Sequence, residues 1–388
     1  MKTETTLVSA GRHPEDHFGA VNPPVYHAST ITRRSMAEWR EVRTRIFDDV
    51  VYGRFGTPTT KAFEEAVAAL ENADRAVAVS SGMAGCTAAI LSAVKGGDHM
   101  LVPDNAYQPV RKLAENFLRP FGVETTYYDP AIGAGIAALI RPNTRLIWLE
   151  APGSQTMEMQ DIPAITAVAR ERGVRTGIDN TWATPLLFKP LDFGVDLSVN
   201  AATKYLVGHS DAMLGVVSMR AELFEKTKIT ANFMGSCPGS EECYLGLRGL
   251  RTLAVRLRQH EENALRLAHW FQGRPEVNRV LYPALPDDPG HAIWQRDFSG
   301  ASGLFSVILE PADEAQVAAL VDGLEHFGLG ASWGGYESLV LPFDPTDYRT
   351  VTEWRAAGPC LRFHIGLENP DDLIADLEAG FARLRAAG

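Results

Sequence analysis

A chain of 388 residues, 45% of them hydrophobic, can bury a large core and form two or three domains of ordinary size. Its 37 basic and 48 acidic side chains give a formal charge of −11, and no basic run concentrates positive charge, so neither nucleic acid nor an anionic membrane surface is an expected partner. The opening MKTETTLVSAGRHPEDHF lacks the apolar segment of a secretory leader. Cys86, Cys237, Cys243 and Cys360 stand in no metal-binding spacing and no HExxH occurs, so a cytoplasmic enzyme with reduced thiols and no metal site is expected.

The first fifty residues are irregular and read as an arm rather than a domain. From about residue 75, short β-rich runs alternate with helical ones. RAVAVS reads as a strand, SGMAG as a tight turn and CTAAILSAV as a helix. The uncharged stretch containing them is therefore strand, turn and helix, not a membrane span. DHMLVPD is strand-like, VRKLAENFLRPFG helical up to its glycine, and VETTYYD and TRLIWLEAP are strands. DIPAITAVARERG is a helix with Asp161 as N-cap, Pro163 in its first turn and Gly173 as its stop. VRTGIDNT and VDLSVNAAT are two more strands. This rhythm predicts a mostly parallel sheet covered by helices, with ligands at the carboxyl ends of its strands. After about residue 247 a long amphipathic helix, the strand GLFSVILE, a helical AQVAALVDGLEHFG, the strand RFHIGLE and a final helix predict a smaller α+β domain.

Four features fall just past strand ends. Lys204, in NAATKYLVGHSD, would carry a partly desolvated amine, a nucleophile towards an aldehyde. Asp179 could hold a pyridinium nitrogen protonated. SGMAG offers backbone N–H groups at a helix start, a cradle for phosphate, and Tyr107 could stack on an aromatic ring. Singly, each has a plainer reading: a solvated lysine, an Asx turn, an ordinary tight turn, a packing tyrosine. Their order and shared rim describe a pyridoxal phosphate (PLP) site. The absence of GxGxxG after the first strand sets a dinucleotide dehydrogenase aside.

The segments YGRFGTPTT, SSGMAG, EAPGSQTMEMQDIPA, IDNTWATPLLFKPLDFGVD, AATKYLVGHSD, GLRGLRTLAVRLRQH, SWGGYESL and RFHIGLE run in this order from residue 52 to beyond 360. In them the chain closely resembles the Cys/Met metabolism family of PLP-dependent enzymes. The resemblance implies an α/β protein of fold type I, the aspartate aminotransferase-like PLP-dependent transferase fold. Residues 1–52 would be an arm serving the neighbouring subunit's site, 53–247 a PLP-binding α/β domain and 248–388 a C-terminal α+β domain. Lys204 would hold PLP covalently and shuttle protons. Asp179 would bind the ring nitrogen, and Tyr107 would stack on the ring and share in catalysis. Gly82 and Met83 would give N–H groups to the phosphate, and Thr203 its hydroxyl. Tyr52 and Arg54 would reach the phosphate of a neighbouring subunit, implying a homodimer, usually paired into a tetramer. Arg362 would clamp the substrate carboxylate, with Ser332 and Trp333 beside it.

The resemblance further implies a carbon–sulfur lyase that β-eliminates L-cystathionine to homocysteine, pyruvate and ammonia, a step of methionine biosynthesis. Other cysteine S-conjugates are additional candidates, and alanine racemisation could follow from the same carbanion. Trp333 stands where γ-acting relatives carry a small aliphatic residue, Ala331 where they tend to place a glutamate, and Ser154 where they typically have an asparagine. The alternatives are a γ-acting relative (cystathionine γ-synthase, cystathionine γ-lyase or methionine γ-lyase) and a Schiff-base protein without PLP. Many β-lyases have tyrosines where Ala331 stands and near Asn232, so the distal part of this pocket is expected to be roomier or differently polar. Ala201 replaces a serine common among the relatives.

Overall fold

A computed structural model describes all residues 1–388. Seven strands form one sheet: β1 (Arg75–Val79), β2 (His99–Pro103), β3 (Glu124–Tyr128), β4 (Thr144–Glu150), β5 (Arg175–Asp179), β6 (Leu197–Asn200) and β7 (Gly215–Met219), in the order β1-β7-β6-β5-β4-β2-β3. β2 to β6 run parallel, and β7 runs antiparallel to β1 and β6. Every residue of β2, β6 and β7 is buried, as expected of a sheet with helices on both faces. The predicted strands and mostly parallel pairing are present. β7 is an addition, because the five-residue GVVSM carries no alternation to mark it.

The first βα turn shows how the local sequence builds this layer. Ser81 caps the helix Gly82–Ala93, its Oγ accepting from Ala84 N at 3.1 Å, worth about 1 kcal/mol. The helix thus begins inside SGMAG rather than after it. The predicted helix after β2 spans Gln108–Phe121, widening to a π turn over residues 113–118 and ending at left-handed Gly122. Asp161 caps Ile162–Glu171 through Ala164 N at 3.2 Å, with Pro163 in its first turn.

A second sheet holds β8 (Val277–Leu281), β9 (Leu304–Leu309), β10 (Phe327–Leu329), β11 (Ser338–Phe343) and β12 (Cys360–His364), ordered β10-β11-β12-β9-β8. It packs with the long helix Leu253–Gln272 and the last helix Pro370–Ala387. The domain boundary expected at 247/248 falls inside the helix Ser240–Leu250. One buried apolar cluster runs from Leu149 and Ile178 beneath the first sheet to Phe305 and Phe363 in the second.

The arm has short helices, Thr3–Ser9 and Met36–Val42, and an antiparallel bridge between Thr30 and Tyr52. It lies on its own chain: Leu7 is buried against the helix Pro58–Glu71, and Arg251 donates to the carbonyls of Leu7 and Ala10. No helix is long and apolar enough to cross a membrane.

Candidate active site

β4, β5 and β6 end level with one another. Glu150 pairs with Asp179 across β4 and β5, and Asp179 with Val199 across β5 and β6. Parallel strands therefore present Glu150, Asp179 and the turn after Asn200 to one edge, as the strand-end rule requires. A cavity of about 220 Å³ opens there, lined by Gly82, Met83, Tyr107, Asp179, Thr203, Lys204, Trp333 and Arg362 among others. All but three of the predicted site residues are brought together here. Ser332 touches Lys204 from beside the cavity. Tyr52 and Arg54 do not line it. Tyr52 is 43% exposed, and Arg54 lines a smaller cavity with Asn232 and Cys237. Asn232 therefore lies off the main cavity of its own chain.

Lys204 is half-buried in the turn after β6. Its Nζ donates to Ser332 Oγ at 2.7 Å and lies 5.4 Å from the centre of the Trp333 indole. Burial, then the Arg362 charge, brings its pKa down to about 8, against the pull of Asp179. The SWGG turn presses on this lysine. Gly334 has φ +85°, and a Cβ there would meet Lys204 Cβ at 2.9 Å, so the turn requires glycine. Trp333 is held from behind by Tyr205, ring centres 5.5 Å apart.

Asp179 is enclosed. Its Oδ1 accepts from Thr181 N at 3.0 Å and Thr181 Oγ1 at 2.5 Å, while Oδ2 meets only the Cys86 thiol at 3.7 Å. Burial raises its pKa. A half-buried carboxylate with one oxygen lacking a strong donor has room to accept from a cationic N–H. The helix Gly82–Ala93 answers a second requirement. Ser81 satisfies Ala84 N and its carbonyl takes Gly85 N, leaving the N–H groups of Gly82 and Met83 as the helix's unpaired donors. A Cβ on Gly82 would meet Ala201 Cβ at 2.4 Å, so only glycine lets the helix start approach the end of β6. Thr203 lines the cavity, but its hydroxyl is engaged by Leu214, donating to the carbonyl at 3.1 Å and accepting from the N–H at 2.9 Å.

Arg362, on β12, is 8% exposed. Its Nη2 donates to the carbonyls of Ala331 at 2.9 Å and Ser332 at 3.3 Å. Burial lowers its pKa to about 10, and no carboxylate pairs with it. An unpaired buried guanidinium favours a bidentate anion. Tyr107 closes the other side, 42% exposed, its pKa raised by burial and then by Asp179.

Several residues escaped the sequence reading. Glu150 receives the Tyr107 N–H at 2.7 Å, and burial, then Asp179, pushes its pKa well above the carboxylate range. It is the last residue of TRLIWLE, so the strand-end rule that found Asp179 reaches it too. Thr181 and Cys86 flank Asp179, and Gln155 lines the cavity. Gln155 sits in a turn whose shape no local signal marks.

An electron-withdrawing ring nitrogen over Asp179, a phosphate at the helix start and an aldehyde at Lys204 all match the groups present, so the site fits PLP. The family model for "Cys/Met metabolism PLP-dependent enzyme" matches residues 4–382, and the chain belongs to that family. It is 44% identical over 390 residues to cystathionine beta-lyase of Escherichia coli, covering 99% of each chain. It is 42% identical over 388 residues to cystathionine beta-lyase of Salmonella typhimurium, covering 98% of each. The cystathionine gamma synthase of Xanthomonas oryzae pv. oryzae, solved in complex with cystathionine, superposes with a TM-score of 0.91 at 33% identity, with 100% of both chains covered.

Proposed function

We propose that the protein is a PLP-dependent carbon–sulfur lyase that β-eliminates L-cystathionine to homocysteine, pyruvate and ammonia, serving methionine biosynthesis. The observation that carries this reading is the meeting of a half-buried lysine amine, an unpaired guanidinium and the Trp333 indole in one cavity.

Lys204, Asp179, Tyr107, Thr203 and the N–H groups of Gly82 and Met83 would hold PLP, joined by Tyr52 and Arg54 of a neighbouring subunit. Bound there, PLP supplies an electron sink for the charge that develops at the substrate Cα. Arg362 takes the α-carboxylate in its fork and fixes Cα beside Lys204. The Lys204 amine, whose pKa of about 8 leaves part of it neutral, removes the Cα proton and returns it to the departing sulfur. The Ser332 hydroxyl orients the amine between these transfers. Water then completes the balance, with cystathionine and water giving homocysteine, pyruvate and ammonia. A γ-elimination needs a second proton removal, at Cβ. Ala331, at the mouth, supplies no carboxylate for a distal amine, and Trp333 fills space beside Lys204.

The exposed Tyr52 and the distance of Arg54 from its own cavity support a homodimer as the functional unit, with a tetramer as two such dimers. A cytoplasmic setting and the three-part division of the chain belong to the same reading, with the second boundary moved from 247/248 to the turn at residues 251–252. The test is the keto acid released from L-cystathionine by the purified protein. Pyruvate with homocysteine is expected; 2-oxobutyrate with cysteine would move the enzyme to the γ-lyases.

A further inference from the structure

We infer that Gln155 reads the distal carboxylate of the substrate, through a side-chain amide held in place by Tyr348. The assignment rests on the β-elimination reading above. Arg362 is committed to the carboxylate next to the reacting carbon. Within one chain, Lys204 is the only other cation in the cavity lining, and it is committed to proton transfer. Cystathionine carries a second carboxylate beyond its sulfur, and with the neighbouring subunit's Arg54 assigned to the phosphate a neutral donor of this chain is left to meet that group.

Gln155 is such a donor. It lines the cavity, and its Oε1 accepts from the Tyr348 hydroxyl at 2.8 Å. Tyr348 thereby fixes which end of the amide is the donor, since a hydroxyl proton occupies the oxygen. The two Nε2 protons have no acceptor in the protein. Amide N–H groups of this kind bind carboxylates well when desolvated.

The backbone conformation supports a functional role. Gln155 has φ +65° and Met157 φ +57°, left-handed values that ordinary side chains avoid and that persist only where surrounding contacts impose them. Ser306 Oγ donates to the Gln155 carbonyl at 2.6 Å, and Glu158 receives Arg349 Nη2 at 2.8 and 3.0 Å. The facing segment is fastened in turn. Asp104 accepts from the N–H groups of Thr350 at 2.9 Å, Val351 at 3.0 Å and Thr352 at 2.8 Å, and Arg111 donates to the Tyr348 carbonyl. Burial alone would raise the Asp104 pKa, yet these donors hold it well below the carboxylate range. The amide is thus placed by two mutually braced loops.

Two substrates separate this role from a structural one: L-cystathionine, which has the distal carboxylate, and S-ethyl-L-cysteine, which lacks it. Both would release pyruvate. Gln155→Glu keeps Oε1 for Tyr348 but sets a like charge against the distal carboxylate; Gln155→Ala removes the donor. In both variants the ratio of kcat/KM for cystathionine to that for S-ethyl-L-cysteine should fall about tenfold or more, most in Gln155→Glu, through KM. Tyr348→Phe should lower the same ratio less. A ratio within about twofold of wild type in Gln155→Glu would overturn the assignment, as would equal losses on both substrates. Wild-type protein that releases pyruvate from neither substrate would remove the β-elimination reading instead, and the assignment with it.

Discussion

Glu150 and Asp179 are register partners at the ends of adjacent parallel strands, so a buried carboxyl and a half-buried one line the same cavity. Like charges this close do not both ionise readily. Burial and Asp179 hold Glu150 towards its protonated form, which under the proposed function leaves Asp179 as the carboxylate that would meet a cationic ring nitrogen. Asp179→Asn should therefore lower turnover by at least about a hundredfold, because it removes the fixed charge on which the site depends. Glu150→Gln keeps an acceptor for the Tyr107 N–H and mimics a neutral acid, so its loss should stay below about tenfold. Glu150→Ala orphans that N–H and should cost about 1–3 kcal/mol of stability. Steady-state kinetics and unfolding curves of the three variants check this; equal kinetic damage from the Asn and Gln changes would mean that Glu150 works ionised.

Lys204 supplies a pH signature. Its lowered pKa of about 8 makes the amine mostly neutral above that value and mostly protonated below it. The rate at which cofactor-stripped protein takes up pyridoxal phosphate should rise about tenfold per pH unit below 8 and level off above. A rise continuing towards pH 10.5 would mark an ordinary solvated lysine. Lys204→Ala should lose on the order of 10²- to 10⁴-fold or more in pyruvate formation.

The exposed Tyr52 and Arg54 make a prediction about assembly. Lys204→Ala and Arg54→Ala proteins should each be nearly inactive alone. Unfolded together and refolded, half of the dimers would be mixed and half of the sites in those intact, restoring about a quarter of wild-type activity. Failure to regain activity in a verified mixed dimer would place Arg54 outside the partner's site.

Behind Trp333 lie His260 and His364, ring centres 5.2 Å apart. Burial lowers their pKa values to about 4 and about 3. In the unfolded chain each titrates near 6.5, so below that pH unfolding takes up protons that the fold refuses. Their neutral forms cost the fold nothing above pH 6.5, and stability is lost as pH falls towards the folded values. Glu71, held up at about 8 by burial, acts with the opposite sign, so a single-residue comparison is needed. The stability advantage of wild type over His260→Asn should shrink by about 2 kcal/mol between pH 7 and pH 5. Denaturant midpoints at fixed protein concentration measure it, and a constant difference would show that His260 is not held neutral.

The sequence exposes what strand ends organise. Asp179, Lys204 and the SGMAG turn each follow a buried run, and parallel pairing brings them together without any long-range information. Glu150 obeys the same rule, as the last residue of β4. The return strand β7 is not legible, because a five-residue run acquires its direction only from its neighbours, whereas the helix Pro58–Glu71 carries its own start signals in Thr57 and Pro58. Gln155 was beyond reach for another reason. Its carbonyl is held by Ser306 and its amide by Tyr348, which lie 151 and 193 residues away along the chain.

Asp104 stands at the end of β2, outside the cavity, and it fastens the segment that carries Tyr348. The wall assigned above to the far end of a substrate and the floor that would move its proton therefore rest on separate foundations. Under the Gln155 assignment, substitutions among residues 345–349 would change which sulfur compound is taken while Lys204, Asp179 and Arg362 stay as they are. In a lineage under selection for a new nutrient, recognition can evolve first and the chemistry need not evolve at all.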